Sequence, residues 1–414
     1  MNHRPANPGQ PVPMSEDTRT RAEAPAATTT VLQRFAVSFD YPVVFTRGLF
    51  NPSNPVLVDT LARRERTAGH RCLVVVDDGV VAARPRLGAE IEAYAAAHRD
   101  RLALVAPPHT VPGGERIKSE LTHIEAVHDL IYRHHVDRHG FVVAIGGGAV
   151  LDAVGLAAAT AHRGVRHVRL PTTTLAQNDS GVGVKNAVNL YGVKNFVGTF
   201  APPWAVLNDF DFLDSLPARE RLGGLAEAVK VALIRDARFF RWMQAHADAL
   251  ALFERDATEY MIRRCAELHM EQIAGGGDPF ESGSARPLDF GHWSAHKLES
   301  LTRHRVRHGE AVAIGIALDT RYSVLAGLLP AGAELEVITL LEQLGFRLWH
   351  PALAREGADG RPAVLAGLDE FREHLGGELT VTLLAGLGRG VEVHAVDADL
   401  VVAAARWLQA REGG

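Results

Sequence analysis

The sequence is poor in cysteine and has no large excess of either charge, and each of these facts excludes a class of protein. Two cysteines in 414 residues, Cys72 and Cys265, are too few for a disulfide framework and are typical of a reducing compartment. A formal net charge of −5 leaves no basic stripe, so we expect neither nucleic acid nor a membrane surface as a partner. We therefore expect a cytoplasmic protein.

Uninterrupted apolar segments long enough for a membrane or a signal peptide are also lacking. Residues 1–30 are rich in Pro, Ala, Thr and charge, which predicts a disordered tail and not a signal peptide. The most apolar stretch, residues 142–161, contains three consecutive glycines and Asp152, which a lipid-facing helix would not tolerate. That stretch is better explained as a buried strand, a turn and a helix.

Short apolar runs alternate with helical segments in the first half of the chain. The runs are 72–76, 102–105, 141–145, 167–170 and 205–207, and the helical segments include 87–98 and 119–135. Continuous apolar runs separated by helices predict a parallel sheet covered on both faces. Long amphipathic helices follow at 222–234, 257–273 and 310–326. We predict an α/β domain over 31–210 and a mainly α-helical domain over 211–414, with the active site between them.

Histidines and a glutamate at helical spacing suggest a metal site. His292 and His296 are one turn apart, so both imidazoles leave the same helix face, and His308 opens a later apolar helix. Glu227 and Lys230 share another helix face upstream. One Glu, two His and an open position form a common catalytic Zn²⁺ site. Capping or surface histidines are the alternative in a chain with 20 His, but the clustering favours a metal.

A glycine-rich turn and later lysines suggest sites for phosphate groups. Glycines 146–148 follow a predicted strand and open a helix that carries Asp152, where backbone N–H groups could hold a pyrophosphate. A simple tight turn remains an alternative, because the spacing is not G-x-G-x-x-G. Further on, Lys185 and Lys194 lie in a Gly-rich stretch that would suit a phosphorylated polyol. A solvated loop is the other interpretation of that stretch.

Taken in order, these motifs resemble the sugar phosphate cyclase superfamily, to which dehydroquinate synthase belongs. The resemblance runs from about residue 35 to the C-terminus, and its motifs are Gly146-Gly-Gly, Pro171-Thr-Thr, Asp179-Ser, Lys194-Asn195, Gly-Leu-Ala-Glu227-Ala-Val-Lys230, Phe-Gly-His292 with His296, and His308-Gly-Glu. It implies a Rossmann-like NAD-binding domain, a helical metal domain and a homodimer. The implied cofactors are NAD and Zn²⁺, or in some members Co²⁺.

The resemblance also implies individual roles. The metal ligands would be Glu227, His292 and His308. NAD would be held by Asp77, Glu115, Lys118, Gly147, Gly148, Asp152, Thr172, Thr173 and Lys194. The substrate would be contacted by Lys185, Lys230, His296, Asp179 and Asn195, and Arg163 would reach the phosphate of the neighbouring subunit's substrate.

The reaction implied by the resemblance uses NAD only transiently. The substrate is oxidised, phosphate leaves by β-elimination, the hydride returns, and an intramolecular aldol reaction closes a carbocycle. Two other enzymes remain as alternatives: 3-dehydroquinate synthase itself, and a metal-dependent polyol dehydrogenase of the glycerol dehydrogenase type. The latter would release NADH and would not need Lys185, Lys230 and the Lys194-Asn195 pair.

Departures from dehydroquinate synthase predict the substrate. In that enzyme an Arg and a Lys near an Asn-Phe-Gly-His motif hold the substrate carboxylate. Counting back from His292 gives Ala285 and Glu271 at those positions, and Asp289 replaces the Asn. A buried carboxylate facing Glu271 and Asp289 would meet like charge and no cation, although Arg286 would restore a cation if the register slipped by one residue.

We therefore predict sedoheptulose 7-phosphate, whose hydroxymethyl group could donate to Asp289, as the substrate. The product would be a C7 cyclitol of the valiolone or demethyl-4-deoxygadusol type. Near the C-terminus the expected phosphate lysine is replaced, so we assign that role to Arg372 or His374.

Overall fold

The apolar runs of the first half form one parallel sheet in the computed structural model. The structure describes residues 30–65, 69–191, 193–281, 287–357, 360–374 and 377–412, with nothing described of the His374 side chain. It divides the chain into Met1–Phe39 and Asp40–Gly414, and all elements below belong to the second unit. The predicted tail lies outside the described residues except for Thr30.

The strands of the described residues form the main sheet and two hairpins. They are β1 (Val43–Thr46), β2 (His70–Asp77), β3 (Leu102–Leu104), β4 (His109–Val111), β5 (Phe141–Gly146), β6 (Arg166–Pro171), β7 (Lys185–Leu190), β8 (Val193–Phe200), β9 (Ala205–Asp209), β10 (Val381–Gly386) and β11 (Arg389–Val393). The main sheet has the order β1-β9-β6-β5-β2-β3, and β4 pairs with the end of β2. All pairs in this sheet are parallel, as predicted.

The helices cover both faces of this sheet and then build the second half. They are α1 (Val56–Leu61), α2 (Asp78–Ala83), α3 (Leu87–Ala97), α4 (Thr122–Arg133), α5 (Gly148–Thr160), α6 (Ala218–Arg235), α7 (Ala237–Ala245), α8 (Ala247–Ala251), α9 (Arg255–Gly275), α10 (His292–Leu301), α11 (His308–Leu325), α12 (Ala333–Gln343), α13 (Ala366–His374) and α14 (Ala398–Glu412). None of the helices within the described ranges is long and apolar enough to cross a membrane.

Burial on both faces explains why the strands are uninterrupted apolar runs. Successive side chains of a strand point to opposite faces. In β2, Val74 and Val76 pack in the cluster that contains Tyr94 of α3. Leu73 and Val75 pack in the opposite cluster, with Val127 of α4. A strand with only one buried face would show alternating polar residues instead.

The second half is mainly helical, which confirms the predicted fold class. Its core is a separate apolar cluster built largely from α6, α9, α10 and α11. The short β10–β11 hairpin packs on α6 and α11. The sheet ends at Asp209 and the long helices begin at Ala218. The boundary between residues 210 and 211 stays a prediction.

Candidate active site

A cleft of about 710 Å³ runs along the carboxyl ends of the parallel strands. Its walls include Asp77 at the end of β2, Gly147 and Gly148 after β5, and Thr172 and Thr173 after β6. The carboxyl edge of a parallel sheet is the usual ligand-binding edge of this architecture. The opposite wall comes from the helical half and includes Gly223, His308 and Glu310. The cleft therefore brings predicted cofactor residues to a predicted metal ligand.

Asp77 and the glycine turn shape the strand side of the cleft. The Asp77 carboxylate accepts a 2.8 Å hydrogen bond from Gly79 N and caps α2. Burial raises the pKa of Asp77, although the hydrogen bond from Gly79 acts to lower it. A Cβ atom on Gly113 would lie 2.2 Å from Asp77 Oδ1, so glycine is required there. At Gly147 no side chain caps α5, so the first N–H groups of that helix are available to an anion.

Four predicted residues form one polar network beside this turn. Lys118, 3% exposed, donates 2.6 Å to Asp152 Oδ2 and 3.0 Å to Asn195 Oδ1. Glu115 Oε2 accepts 3.1 Å from Asn189 Nδ2. Burial opposes the charge of Lys118, but the Asp152 carboxylate outweighs it and raises the lysine pKa. The network joins residues 114–118, α5 and the β7–β8 hairpin.

The three predicted metal ligands converge at the helical wall. One ligand atom from each of Glu227, His292 and His308 lies within 4.8 Å of the others. The distance from Glu227 Oε1 is 3.7 Å to His292 Nε2 and 3.5 Å to His308 Nε2. Glu227 Oε1 is fully buried and has no hydrogen-bond partner among the described residues, whereas Oε2 contacts Lys230 Nζ. A buried carboxylate oxygen that faces two imidazoles in this way fits a divalent metal of the Zn²⁺ type.

Close backbone approaches between helices bring these ligands together. A Cβ atom on Gly309, next to His308, would lie 2.4 Å from Gly223 Cα. Gly223 precedes Glu227 by about one turn of α6. A Cβ atom on Gly315 would lie 1.9 Å from the carbonyl oxygen of Gly291. Because these positions are glycines, α11 can touch α6, which carries Glu227. It can also touch the turn just before α10, the helix that begins with His292.

Lys230 and Asp179 extend the charged cluster beyond the ligands. Lys230 Nζ contacts Glu227 Oε2 as an ion pair and lies 3.9 Å from Asp179 Oδ1. Burial opposes the charge of Lys230, but Glu227 and Asp179 outweigh it and raise its pKa. Asp289 adds to this rise in the Lys230 pKa, and its turn, Pro287–Asp289, packs against α6. Burial likewise opposes ionisation of Asp179, but Lys230 and His269 hold its pKa well below the usual range.

The histidines of the cluster differ in their electrostatic environment. Burial and the charge of Lys230 lower the pKa of His292 to about 4. Burial also disfavours protonation of His308, but the nearby Glu227 and Glu299 carboxylates raise its pKa to about 9. The His296 ring centre lies 5.4 Å from that of His292, as the one-turn spacing predicts. His296 is exposed, and its ring centre lies 6.0 Å from that of His308, which lines the cleft.

Two residues of this cluster were missed in the sequence analysis. His269 of α9 places Nδ1 2.8 Å from Asp179 Oδ1. Glu299 lies seven residues after His292 on the same face of α10 and pairs with His308 and Lys194. The spacing of His292, His296 and Glu299 at i, i+4 and i+7 was a usable signal. No sequence signal predicts the contact between His269 and Asp179, because the two residues are 90 positions apart.

Other predicted residues lie away from the cluster. Lys185 is half exposed and pairs with Glu281 at 2.6 Å. Arg163 is exposed and follows the far end of α5, roughly 20 Å from the glycine turn at 1.5 Å per residue. Arg372 pairs with Asp369 on the surface. The His374 side chain lies outside what the structure describes.

The prediction that Glu271 faces the substrate was wrong. Glu271 is exposed and lies 3.5 Å from Arg264 on the outer side of α9. His269, two positions earlier and therefore about 200° around the helix, faces Asp179 instead. Ala285 and Arg286, the other counted positions, lie outside the described residues. The loss of the carboxylate-binding arginine stays a prediction.

Known proteins resemble this chain over most of its length. Residues 108–222 match the family model "3-dehydroquinate synthase N-terminal", and residues 224–359 match "3-dehydroquinate synthase C-terminal". A 2-epi-5-epi-valiolone synthase of Streptomyces glaucescens is 36% identical over 90% of this chain and 92% of that protein. A 3-dehydroquinate synthase of Halorhodospira halophila is 38% identical over 77% of this chain and 89% of that protein.

A solved structure agrees with these sequence matches. The 2-epi-5-epi-valiolone synthase of Streptomyces hygroscopicus subsp. jinggangensis 5008, solved with NAD⁺ and Zn²⁺ bound, superposes with a TM-score of 0.79 at 30% identity. The match covers 93% of this chain and 99% of that chain. The resemblance drawn from the motifs is thereby confirmed: the chain belongs to the sugar phosphate cyclase superfamily, the enzymes related to 3-dehydroquinate synthase.

Proposed function

We propose that the protein converts sedoheptulose 7-phosphate into a C7 cyclitol of the valiolone type and releases phosphate. Overall identity does not separate this activity from 3-dehydroquinate synthesis, because the two relatives are 36% and 38% identical. The observation that carries the proposal is Asp289, an acidic residue in the short turn Pro287–Asp289 that packs against α6, the helix of Lys230. An acidic residue at that place suits a hydroxyl donor and repels a carboxylate.

The lysines around the cluster support the same choice. Lys230 is paired with Glu227 and Lys194 with Glu299. To be paired, the carboxylate of a keto acid substrate would have to draw one of these lysines away from its glutamate. A substrate with a hydroxymethyl group needs no such exchange. Within the described part of the chain, the neutral end group is therefore the better fit.

The residues present fit NAD and one Zn²⁺. Glu227, His292 and His308 would hold the metal, and the turn at Gly147 and Gly148 would receive the pyrophosphate. When bound, NAD⁺ supplies a reversible hydride acceptor and the metal supplies a Lewis acid that polarises substrate oxygens. The related valiolone synthase structure holds this same pair of cofactors.

The chain's own groups would then orient the substrate and balance its charge. Lys230 remains protonated because its pKa is raised, so it can donate to a substrate oxygen but does not act as a base. Asp179, held ionised by Lys230 and His269, can accept from a substrate hydroxyl. His296 is exposed beside His308 and would orient the phosphate-bearing end or a neighbouring hydroxyl.

We also propose that the protein is a homodimer and works in the cytoplasm. Arg163 is exposed and distant from its own cleft, so a role in catalysis would require the neighbouring subunit's site. Cys72 and Cys265 are free and buried, as suits a reducing compartment. Sedimentation of the purified protein tests the dimer. Mixing Arg163→Ala with a cleft-inactive variant and looking for restored activity tests the shared site.

The substrate assignment is tested by offering both sugar phosphates to the enzyme with NAD⁺ and Zn²⁺. We expect phosphate release from sedoheptulose 7-phosphate, a cyclitol product by NMR, and no net NADH. Replacing Asp289 by Asn should weaken that turnover while zinc content is kept. Efficient conversion of the C7 keto acid phosphate alone would identify a 3-dehydroquinate synthase. Stoichiometric NADH with a simple polyol would identify a dehydrogenase.

A further inference from the structure

Glu299 joins a metal ligand to a lysine of the sheet half through the two oxygens of one carboxylate. It lies on α10 and is 4% exposed. Its Oε2 is 3.0 Å from His308 Nδ1. Lys194 Nζ donates 3.1 Å to Oε1 and 3.3 Å to Oε2. His308 opens α11, whereas Lys194 lies on β8, so the carboxylate connects two parts of the fold.

We propose that Glu299 is a positioning residue that couples metal binding at His308 to cofactor binding at Lys194. A histidine can present Nε2 to a metal only when Nδ1 carries the proton. The contact to Glu299 Oε2 holds the Nδ1–H and fixes the plane of the ring. The same ring places Nε2 3.5 Å from Glu227 Oε1, as a ligand of the cluster must. The proposal rests on the proposed roles of the metal and NAD.

A second metal ion is the competing use of the same groups. Atoms of His296, Glu299 and His308 also lie within 4.8 Å of one another. Lys194 opposes this use, because its ammonium group already contacts both oxygens of Glu299. A metal there would also take His308 Nδ1, which would require the ring to lose both protons if Nε2 bound the first ion. The geometry therefore favours a hydrogen-bonded support of one metal.

Coupling follows from the shared carboxylate. When Lys194 is drawn toward bound NAD, Glu299 loses part of its cationic partner and becomes a stronger acceptor for His308. When His308 is held by a metal, its Nδ1–H becomes a stronger donor to Glu299, so the carboxylate holds Lys194 less tightly and leaves its ammonium group free for NAD. Each ligand thus favours the arrangement that the other needs, which is a reciprocal coupling. Without Glu299 both groups lose their orientation.

The test compares Glu299→Gln with Glu334→Gln. Glu334 is an equally buried glutamate that pairs with Arg321 at 2.6 Å and caps the start of α12, away from the cleft. Zinc affinity by chelator competition, zinc per chain, and NAD⁺ affinity by calorimetry with and without zinc are measured on each purified protein. The visible spectrum of the Co²⁺-loaded protein reports the ligand geometry directly. Thermal unfolding shows whether each variant is folded.

We expect Glu299→Gln to weaken zinc binding by about ten- to a hundredfold, to shift the cobalt spectrum and to abolish the effect of zinc on NAD⁺ affinity. Glu334→Gln should change none of these. If Glu299→Gln does not fold, the milder Glu299→Asp is measured in its place. It should show the same changes in zinc affinity, cobalt spectrum and NAD⁺ affinity, but smaller ones. Two zinc ions per wild-type chain, falling to one in Glu299→Gln, would overturn the proposal in favour of a second metal site.

Unchanged zinc and NAD⁺ binding in a folded Glu299→Gln would also overturn the proposal. No substrate is present in these measurements, so a wrong substrate assignment leaves their result standing. A wild-type protein that binds neither zinc nor NAD⁺ would instead overturn the proposed cofactors, and the coupling with them.

Discussion

The backbone of Gly315 in α11 touches the backbone of Gly291, the residue before His292. A Cβ atom on Gly315 would lie 1.9 Å from the Gly291 carbonyl oxygen. Gly291 itself has φ 77°, a left-handed conformation that glycine adopts without strain. The start of α10, and with it one metal ligand, is therefore located by this contact.

Replacing Gly315 by Ala should displace the start of α10 and weaken zinc binding. The added methyl group meets backbone atoms that cannot rotate away, so we expect a loss of stability of about 2–4 kcal/mol, as for other overpacked sites. Zinc content and urea unfolding measure the two effects. Gly88→Ala is the control, because it lies in α3 with no atom within 4 Å of the added Cβ. Equal zinc content and equal stability of the two variants would contradict the idea that this contact locates α10.

Asp319 should make the stability of the protein depend on pH. Its oxygens accept from Gly291 N at 3.1 Å and Trp293 Nε1 at 2.9 Å. Burial raises its pKa to about 7, although both hydrogen bonds act against this. The folded state then holds the proton more tightly than the unfolded chain does. The contribution of Asp319 is full below about pH 4 and is lost as the pH rises through 7.

Comparing the wild type with Asp319→Asn isolates this effect from other titrating groups. Asn is uncharged at every pH but cannot accept both hydrogen bonds, which costs about 1–3 kcal/mol. We expect the difference in free energy of unfolding between the two proteins to shrink as the pH rises from 4 to 7. A difference that is constant over this range would mean that Asp319 does not titrate there.

Removal of one ligand should abolish metal binding. His292→Ala takes one of three ligands from the cluster, so we expect loss of most bound zinc and nearly all turnover. Metal analysis of the purified variant and a phosphate-release assay check this. His139→Ala is the control, since the His139 side chain is 75% exposed and pairs with Glu65. Full zinc content in His292→Ala would remove His292 from the ligand set.

Features set by local periodicity could be predicted from the sequence. The parallel sheet followed from continuous apolar runs, because a strand buried on both faces has no polar side. The pairing of His292 with His296 followed from the helical repeat. Each of these inferences needs only neighbours within a few residues.

Features set by distant contacts could not be predicted in the same way. The Gly-rich stretch with Lys185 and Lys194 was expected to be a solvated loop or a phosphate site. The two lysines lie on the β7–β8 hairpin, whose position depends on packing against α5, and the phosphate site stays a prediction. Arg169 interrupts an apolar strand, and nothing near it in the sequence predicts its partners. In the structure it is fully buried and donates to the carbonyl groups of Gly181, Gly183 and Lys185.

The error at Glu271 has a geometric cause. Counting along a chain locates a residue within a helix, but each step also turns the side chain by about 100°. A shift of two positions therefore exchanges the face toward Asp179 for the face toward Arg264. Such a count fails wherever the intervening segment differs in length from that of the reference family.

Asp289 lies two residues before Gly291 but is not itself one of the glycine contacts, and this has an evolutionary consequence. Asp289 belongs to the short turn Pro287–Asp289, whereas the metal ligands are located by helices that meet at Gly223, Gly309 and Gly315. Point substitutions in the turn change what faces the cluster without moving those helices. After a gene duplication, the two copies could diverge in substrate while each inherited the same cofactors and helix packing.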